Sequence, residues 1–189
     1  EFGLEKATLQ YLNQSKKTVL ILGGSLGSSR INEFISENLN QFKNYDLQII
    51  WQCGKNQYNN YKKFNSSSVI VKPFIEKMNY AYMASDYIIS RSGASIISEL
   101  CIVGKPVIFI PSPNVAEDHQ TKNAMSLVKF NSAELVIEKD LNTKFFKIFE
   151  KIHFDNIYSK KLSKSIKNLA KPDASKIIVN QILKSIDYA

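Results

Sequence analysis

The sequence predicts one α/β domain built on a doubly wound parallel sheet of about six strands. Short apolar stretches alternate with amphipathic stretches along most of the chain, which is the pattern of repeated strand-helix units. The first apolar stretch, 18–22, runs directly into a glycine-rich turn at 23–28. With 189 residues, of which 44% are hydrophobic, the chain is long enough for one well-packed core and short for two.

The predicted elements follow from apolar spacing and from turn residues. The segment 29–42 carries Ile31, Phe34, Ile35, Leu39 and Phe42 on one helical face. Gly104 ends one helix as a C′ residue, and Pro172 precedes the last helix. We predict strands over 17–22, 47–52, 68–72, 86–90, 106–110 and 133–137, and helices over 4–14, 29–42, 56–63, 76–84, 95–103, 117–130, 140–150, 158–169 and 173–187.

This order divides the single domain, 1–189, into a lead-in helix (1–16), a βα core (17–138) and C-terminal helices (139–189). Apolar strands joined by helices predict a Rossmann-like sheet that is covered on both faces. Ligands of such sheets bind beyond the carboxyl ends of the strands. The site is therefore expected among the junctions that follow the strands, at 23–28, 52–55, 74–78, 91–99 and 111–120.

Charge and composition exclude several classes of partner. The formal net charge is +8, but the lysines are spread along the chain without the aromatic interleaving of a nucleic-acid groove, so no nucleic-acid partner is expected. The basic surface indicates either a solvated face or weak attraction to an anionic membrane. No apolar run approaches the ~20 residues that span a bilayer, and residues 1–4 lack signal-peptide features, which predicts a soluble intracellular protein.

Cysteine usage agrees with a reducing compartment. Cys53 and Cys101 lie in separate apolar segments, with two histidines in the whole chain, so neither a disulfide framework nor a zinc site is supported. We predict buried free thiols.

The glycine-rich turn 23–28 is predicted to present backbone N–H groups at the positive end of a helix dipole, where an anion binds well. Such turns also serve only to pack a helix on a sheet, and Ser25 could serve only as a helix cap. A nicotinamide oxidoreductase is disfavoured because the spacing is not G-x-G-x-x-G and because Trp51-Gln52 replaces the usual acidic residue. A serine hydrolase built on Ser25 is disfavoured because Asp118 and His119 are adjacent and would diverge.

A nucleotide diphosphate fits the junctions better. Small-residue turns at 23–28 and 92–96 can hold phosphates on N–H groups and hydroxyls, and Glu99 lies one turn after Ser95, where it can accept from ribose hydroxyls. The sequence has neither a Walker lysine nor a paired-carboxylate metal site, which favours a nucleotide-sugar over a nucleoside triphosphate. Helix dipoles would then replace a metal ion.

Several segments taken together resemble the C-terminal half of the MurG family of bacterial N-acetylglucosaminyltransferases. The resemblance covers nearly the whole chain, in order. The segments that carry it are Gly-Gly-Ser-Leu-Gly-Ser-Ser-Arg-Ile-Asn (23–32), Trp-Gln-Cys-Gly-Lys (51–55), Pro-Phe-Ile-Glu-Lys-Met (73–78), Ile-Ser-Arg-Ser-Gly-Ala-Ser (89–95), Ser-Glu-Leu (98–100), Gly-Lys-Pro (104–106) and 111–124.

The resemblance implies the donor domain of a GT-B transferase that adds GlcNAc from UDP-GlcNAc to lipid I, without a metal ion or other cofactor, in peptidoglycan synthesis. It implies a peripheral enzyme on the cytoplasmic face of the bacterial inner membrane. Ser25, with Gly24 and Gly27, would contact the diphosphate; Ile75 would meet uracil through its main chain. The other implied donor-site residues are Phe74 and Met78 beside the base, Ala94, Ser95, Ile96 and Glu99 along the phosphates and ribose, and His119 and Gln120 facing the sugar.

Two positions depart from the family pattern, and a whole domain is absent. Ile96 replaces a hydroxyl residue, and Ser28 replaces an alanine, which reads as a small change. The family's N-terminal domain, which holds the lipid acceptor, is not in the sequence, so we expect no sugar transfer by this chain alone and assign it no catalytic residue. The alternatives are a stand-alone subunit like that of the eukaryotic dolichol-linked GlcNAc transferase, or a non-catalytic nucleotide-binding module.

Overall fold

Six parallel strands form a sheet in the computed structural model, which describes residues 12–13, 15–114 and 118–187. The strands are β1 (Thr18–Leu22), β2 (Gln48–Gln52), β3 (Val69–Lys72), β4 (Tyr87–Ser90), β5 (Val107–Phe109) and β6 (Glu134–Leu135). Their order in the sheet is β3-β2-β1-β4-β5-β6, and every pairing is parallel. The predicted doubly wound sheet is confirmed, and its strand order reverses between β1 and β4.

Strand β1 is an interior strand of the sheet, and all five of its residues are buried. Val19 pairs with Ile49 on one side and with Tyr87 on the other, so both edges of β1 are satisfied by backbone hydrogen bonds. Its side chains alternate between the two faces, and Ile21 and Leu22 belong to different hydrophobic cores. This arrangement fixes the end of β1, and therefore the glycine-rich turn, at the centre of the carboxyl edge.

The longer helices agree with the predicted ones to within a few residues. They are α1 (Ser29–Asn44), α3 (Met78–Ala84), α4 (Ala94–Val103), α5 (His119–Val128), α6 (Leu141–Phe154), α7 (Asn156–Asn168) and α8 (Ala174–Asp187); a single short turn of helix, α2 (Tyr58–Tyr61), lies between α1 and α3. Gly104 adopts a left-handed conformation after α4, as predicted for a C′ glycine. The predicted helix over 4–14 falls almost entirely outside the described residues.

The predicted continuous helix over 56–63 is wrong. Short 3₁₀ turns at Lys55–Gln57 and Lys62–Phe64 flank the four-residue α2. This broken path brings the rings of Tyr61 and Phe64 to 5.0 and 6.2 Å from Trp51, measured between centroids. Packing of these aromatic rings outweighs the weak helix preference of the polar residues between them.

Helices cover both faces of the sheet. On one face α1 and α6 pack through phenylalanines, with Phe34 and Phe145 at a centroid separation of 4.9 Å. On the other face α4 and α5 contribute Leu100 and Leu127 to a second core. Helix α7 reaches both cores through Leu162 and Ile166.

Among the residues whose burial is described, helix α8 contributes none to either core and none that packs against one. Its apolar side chains are between 53% and 62% exposed. Among the described residues, no helix is both long enough and apolar enough to cross a bilayer.

Candidate functional site

The glycine-rich turn after β1 is held in a conformation that only glycine adopts readily. Gly24 and Gly27 have φ angles of 88° and 82°. The turn ends at Ser28, whose Oγ accepts from the Ile31 N–H at 3.3 Å and caps α1. The capping role considered for Ser25 is therefore wrong, and Ser25 lies exposed in the turn.

Close packing joins this turn to the one that follows β2. A Cβ added to Gly27 would lie 2.1 Å from the Cys53 carbonyl oxygen, and one added to Gly54 would lie 2.3 Å from the Leu26 carbonyl oxygen. Fully buried Asn32 donates from Nδ2 to the Cys53 carbonyl at 2.8 Å. The two turns therefore form one rigid unit at the carboxyl edge of the sheet.

A cavity of about 280 Å³ opens beside the turn, where the strand order reverses. It lies at the place where open α/β sheets bind ligands. Six residues predicted for the donor site line it together: Gly24, Ser25, Met78, Ser95, Ile96 and Glu99. Leu22, Gln52, Ser90 and Arg91 complete the described lining.

Glu99 is oriented by a buried tyrosine. The Tyr82 hydroxyl donates to Glu99 Oε2 at 2.9 Å. Burial, reinforced by the negative charge of Glu99, raises the pKa of Tyr82, so this hydroxyl keeps its proton. A carboxylate can accept several hydrogen bonds, which leaves Glu99 able to accept from a ligand hydroxyl as well.

The N-terminus of α4 faces the same region without a side-chain cap. Its N-cap residue is Gly93, and Ala94, Ser95 and Ile96 form the first turn. The N–H groups of a first helical turn and the helix dipole together favour an anion. The side chain at 96 is apolar, so Ser95 carries the side-chain hydroxyl of this first turn.

Phe74 and Ile75 lie after β3, next to the cavity but outside its lining. Ile75 is buried, and its N–H donates to the side chain of Gln52 at 2.8 Å. Phe74 is 41% exposed, with the Lys55 ammonium 5.7 Å from its ring centroid. The structure therefore links Ile75 to the cavity through Gln52.

His119 and Gln120 begin α5 and do not line this cavity. The side-chain Oε1 of Gln120 accepts from the Ser112 N–H at 3.0 Å. The main-chain carbonyl of Gln120 accepts from the Ser92 hydroxyl at 2.9 Å. The preceding residue, Asp118, has a left-handed conformation. His119 is exposed at the start of the helix.

The residues that hold the turns in place lie in two of the predicted junctions, 52–55 and 91–99, but the loops that their side chains join were not predicted. Arg91 donates to the Ile110 carbonyl at 3.0 Å, to Ser28 Oγ and to Glu138 Oε1, both at 2.5 Å. Gln52 bridges two loops and lines the cavity. The scarcity of arginine, with Arg30 and Arg91 the two in the sequence, was the one available signal for Arg91.

A doubly wound parallel sheet with a cavity at its reversal point defines a Rossmann-like domain. Its likeness to solved glycosyltransferases identifies the fold as that of the C-terminal half of GT-B enzymes. Residues 18–179 match the family described as "Glycosyltransferase family 28 C-terminal domain", and the chain belongs to this family.

Two curated relatives illustrate the similarity. Both are named UDP-N-acetylglucosamine--N-acetylmuramyl-(pentapeptide) pyrophosphoryl-undecaprenol N-acetylglucosamine transferase. The one from Flavobacterium psychrophilum is 51% identical over 93% of this chain and 48% of its own length. The one from Christiangramia forsetii is 46% identical over 97% of this chain and 51% of its own length. The chain spans about half the length of the curated relatives it matches.

Solved structures agree on the fold. MurG of Acinetobacter baumannii superposes with a TM-score of 0.75 at 27% identity, over 95% of this chain and 53% of that one. The calicheamicin glycosyltransferase CalG4 superposes with a TM-score of 0.70 at 12% identity, over 92% of this chain and 45% of that one, which shows the fold alone.

Proposed function

We propose that the domain binds UDP-N-acetylglucosamine as the donor half of a transferase that adds GlcNAc to lipid I to form lipid II in peptidoglycan synthesis. The observation that carries the proposal is the set of six predicted donor-site residues around one cavity at the reversal point of the sheet. The names and the 46–51% identity of the relatives support the choice of substrate.

The cavity suggests an arrangement for each part of the donor. The diphosphate lies between the glycine-rich turn, with Ser25, and the N-terminus of α4, where backbone N–H groups favour anions. The ribose hydroxyls reach Glu99, which Tyr82 holds in place. Uracil lies toward Phe74, Ile75 and Met78, and the sugar lies toward His119 and Gln120.

The chemistry that this arrangement serves is inverting transfer. The 4-hydroxyl of the acceptor's N-acetylmuramyl unit forms a bond to the anomeric carbon of GlcNAc, and the bond from that carbon to the diphosphate oxygen breaks. The acceptor proton passes to a base outside this chain, while this domain stabilises the negative charge of departing UDP through N–H groups and helix dipoles. No metal ion is assigned a role. Because the proposed base is not part of this chain, we expect no transfer by this chain alone.

The proposal includes a location at the cytoplasmic face of the inner membrane, because lipid I is membrane-bound. The net charge of +8 favours an anionic surface at close range. This attraction is expected to be weak, since surface charges are screened by salt.

Calorimetric titration with UDP-GlcNAc, UDP-glucose and ADP-ribose tests the donor assignment. We expect UDP-GlcNAc to bind at least about tenfold more tightly than ADP-ribose, which corresponds to about 1.4 kcal/mol. Equal affinity for uridine and adenine ligands would contradict the proposal.

Glu99→Gln provides a matched test of the ribose contact. It keeps the shape of the side chain and removes its charge, and a hydrogen bond to a charged group contributes about 1.5–3 kcal/mol, so UDP affinity should fall about tenfold or more. The control is Ser98→Ala, because the exposed Ser98 hydroxyl donates to the Ala94 carbonyl of its own helix at 3.1 Å. A loss of affinity in the control equal to that of Glu99→Gln would overturn the ribose assignment.

A further inference from the structure

Gln52 is a buried amide at the carboxyl end of β2 and is 4% exposed. Its Nε2 donates to the Gly24 carbonyl at 3.1 Å, and its Oε1 accepts from the Ile75 N–H at 2.8 Å. The orientation of the amide is fixed by its partners, since a flipped amide would place donor against donor and acceptor against acceptor. One side chain therefore connects the turn after β1 with the loop after β3.

These two loops are proposed to contact different ends of the ligand. Gly24 lies in the turn assigned to the diphosphate, and Ile75 lies in the loop assigned to the base. Gln52 also lines the cavity between them. Ile75 is buried, so without Gln52 its N–H would lose this hydrogen-bond partner. Gly24 is exposed and its carbonyl also accepts from the Gly27 N–H at 3.2 Å, so the bond from Gln52 orients the turn rather than satisfying a buried group.

We propose that Gln52 is a positioning residue that sets the spacing between the phosphate-binding turn and the base-binding loop. This inference rests on the proposed function and adds the group that couples its two subsites. The two halves of the amide have separate roles: Nε2 holds the phosphate turn, and Oε1 holds the Ile75 main chain.

Two substitutions of similar size separate these roles. Gln52→Met removes both hydrogen bonds, so affinity for UDP should fall and the preference for UDP over ADP should shrink about tenfold, the equivalent of one hydrogen bond. Gln52→Glu keeps an acceptor for the Ile75 N–H but places a carboxylate against the Gly24 carbonyl. We expect it to weaken UDP and ADP binding alike by about tenfold or more, with the preference between them unchanged.

Gln48 offers a control on the same strand. It is 1% exposed, and its amide bridges the Asn13 main chain at the opposite end of β2, donating to the carbonyl at 2.8 Å and accepting from the N–H at 2.6 Å. Gln48→Met should lower the stability of the fold without changing the ratio of UDP to ADP affinity. A purely structural role for Gln52 would give the same result at both positions.

The experiment is titration calorimetry with UDP and ADP on wild type and the three variants, with amide hydrogen exchange at Ile75 as a readout that needs no ligand. Exchange at Ile75 should quicken in Gln52→Met and stay slow in Gln52→Glu. A wild-type domain that binds UDP no better than ADP would overturn the proposed function. A UDP-selective wild type whose Gln52→Met variant keeps the same selectivity, or the same Ile75 exchange, would overturn this inference alone.

Discussion

At the scale of single residues, the Ser28 hydroxyl takes part in two hydrogen bonds that position the start of α1. It caps α1 and also accepts a hydrogen bond from Arg91. Arg91 in turn pairs with Glu138, and both side chains are mostly buried, at 15% and 19% exposure. The start of α1, and with it the glycine-rich turn, is thereby fastened to β4 and to the segment that follows β6.

Replacing Arg91 by lysine should lower the free energy of unfolding by about 1–3 kcal/mol, because one ammonium group cannot reproduce a planar fork with three partners. Arg91→Met should cost more, since it leaves the Glu138 carboxylate unpaired. Urea denaturation measures both losses. The control is Arg30→Lys: Arg30 meets Glu33 at 4.0 Å near the surface, so its loss should stay within about 0.5 kcal/mol. Equal losses at positions 30 and 91 would contradict this account.

His153 should make the stability depend on pH. Its ring stacks on Phe149 at 5.8 Å, and its Nδ1 is buried with no hydrogen-bond partner in the described part of the chain. Burial, with a smaller contribution from the charge of Lys17, lowers the pKa of His153. The unfolded state therefore binds a proton at His153 more readily than the folded state. The free energy of unfolding is at its full value above about pH 6.5, the ordinary pKa of histidine, and decreases as the pH falls below it.

Thermal unfolding of wild type and His153→Phe between pH 5 and 8 checks this expectation. The wild type should lose stability on acidification more steeply than the variant, because phenylalanine keeps the ring stacking and cannot be protonated. Parallel pH profiles would exclude His153 as the cause.

At the scale of elements, the carboxyl edge of the sheet is a set of turns that hold one another. Gly27 and Gly54 allow the backbones of two turns to pack so closely that neither position has room for a Cβ atom. The Asn32 side chain donates a hydrogen bond to the Cys53 carbonyl and so links α1 to the second turn. Asn32 also accepts from the Trp51 indole N–H at 2.9 Å. The glycine-rich turn is therefore held in its conformation by contacts within the protein, so a ligand that binds there should lose little entropy in ordering it.

Alanine substitutions at two glycines of the same turn should differ sharply. Gly24→Ala introduces only backbone strain, about 1–2 kcal/mol, because no atom lies within 4 Å of the added Cβ. Gly27→Ala adds a clash with the Cys53 carbonyl to the same strain and should cost about 2–5 kcal/mol. Equilibrium unfolding in urea gives both values. Similar losses at the two glycines would show that the turns are not packed as described.

At the scale of the whole molecule, two hydrophobic cores cover the two faces of the sheet, and α6 and α7 belong to them as fully as the helices of the βα units. Helix α7 supplies Leu162 and Ile166, at 1% and 0% exposure. Helix α8 supplies no core residue among those whose burial is described. The cooperative unit is therefore expected to end with α7.

Truncation after Pro172 should leave the free energy of unfolding within about 0.5 kcal/mol of the full chain, because the side chains of α8 are exposed. Truncation after Asp155 removes α7 with the buried Leu162 and Ile166, so it should destabilise the domain by about 3–6 kcal/mol from these two side chains alone, or prevent folding. Calorimetric unfolding of both truncated chains tests this expectation. A large loss from the first truncation would place α8 inside the cooperative unit.

The sequence alone determined the sheet, the longer helices and most of the cavity lining. These features depend on local signals: runs of apolar residues for buried strands, a 3.6-residue period for helices, and small residues where parallel strands end. The helix over 56–63 was predicted wrongly because its path is decided by packing of Tyr61 and Phe64 on Trp51, which no local period shows.

Only the tertiary structure decided how the site is held. Gln52 joins Gly24 to Ile75 across 28 and 23 residues of sequence, and Arg91 joins Ser28 to Glu138 across 63 and 47. A polar residue in an apolar strand has no periodic signature, and its partners become neighbours only when the sheet forms. Most residues that line the cavity could be predicted because they follow strands, whereas the residues that position them depend on hydrogen bonds between distant loops.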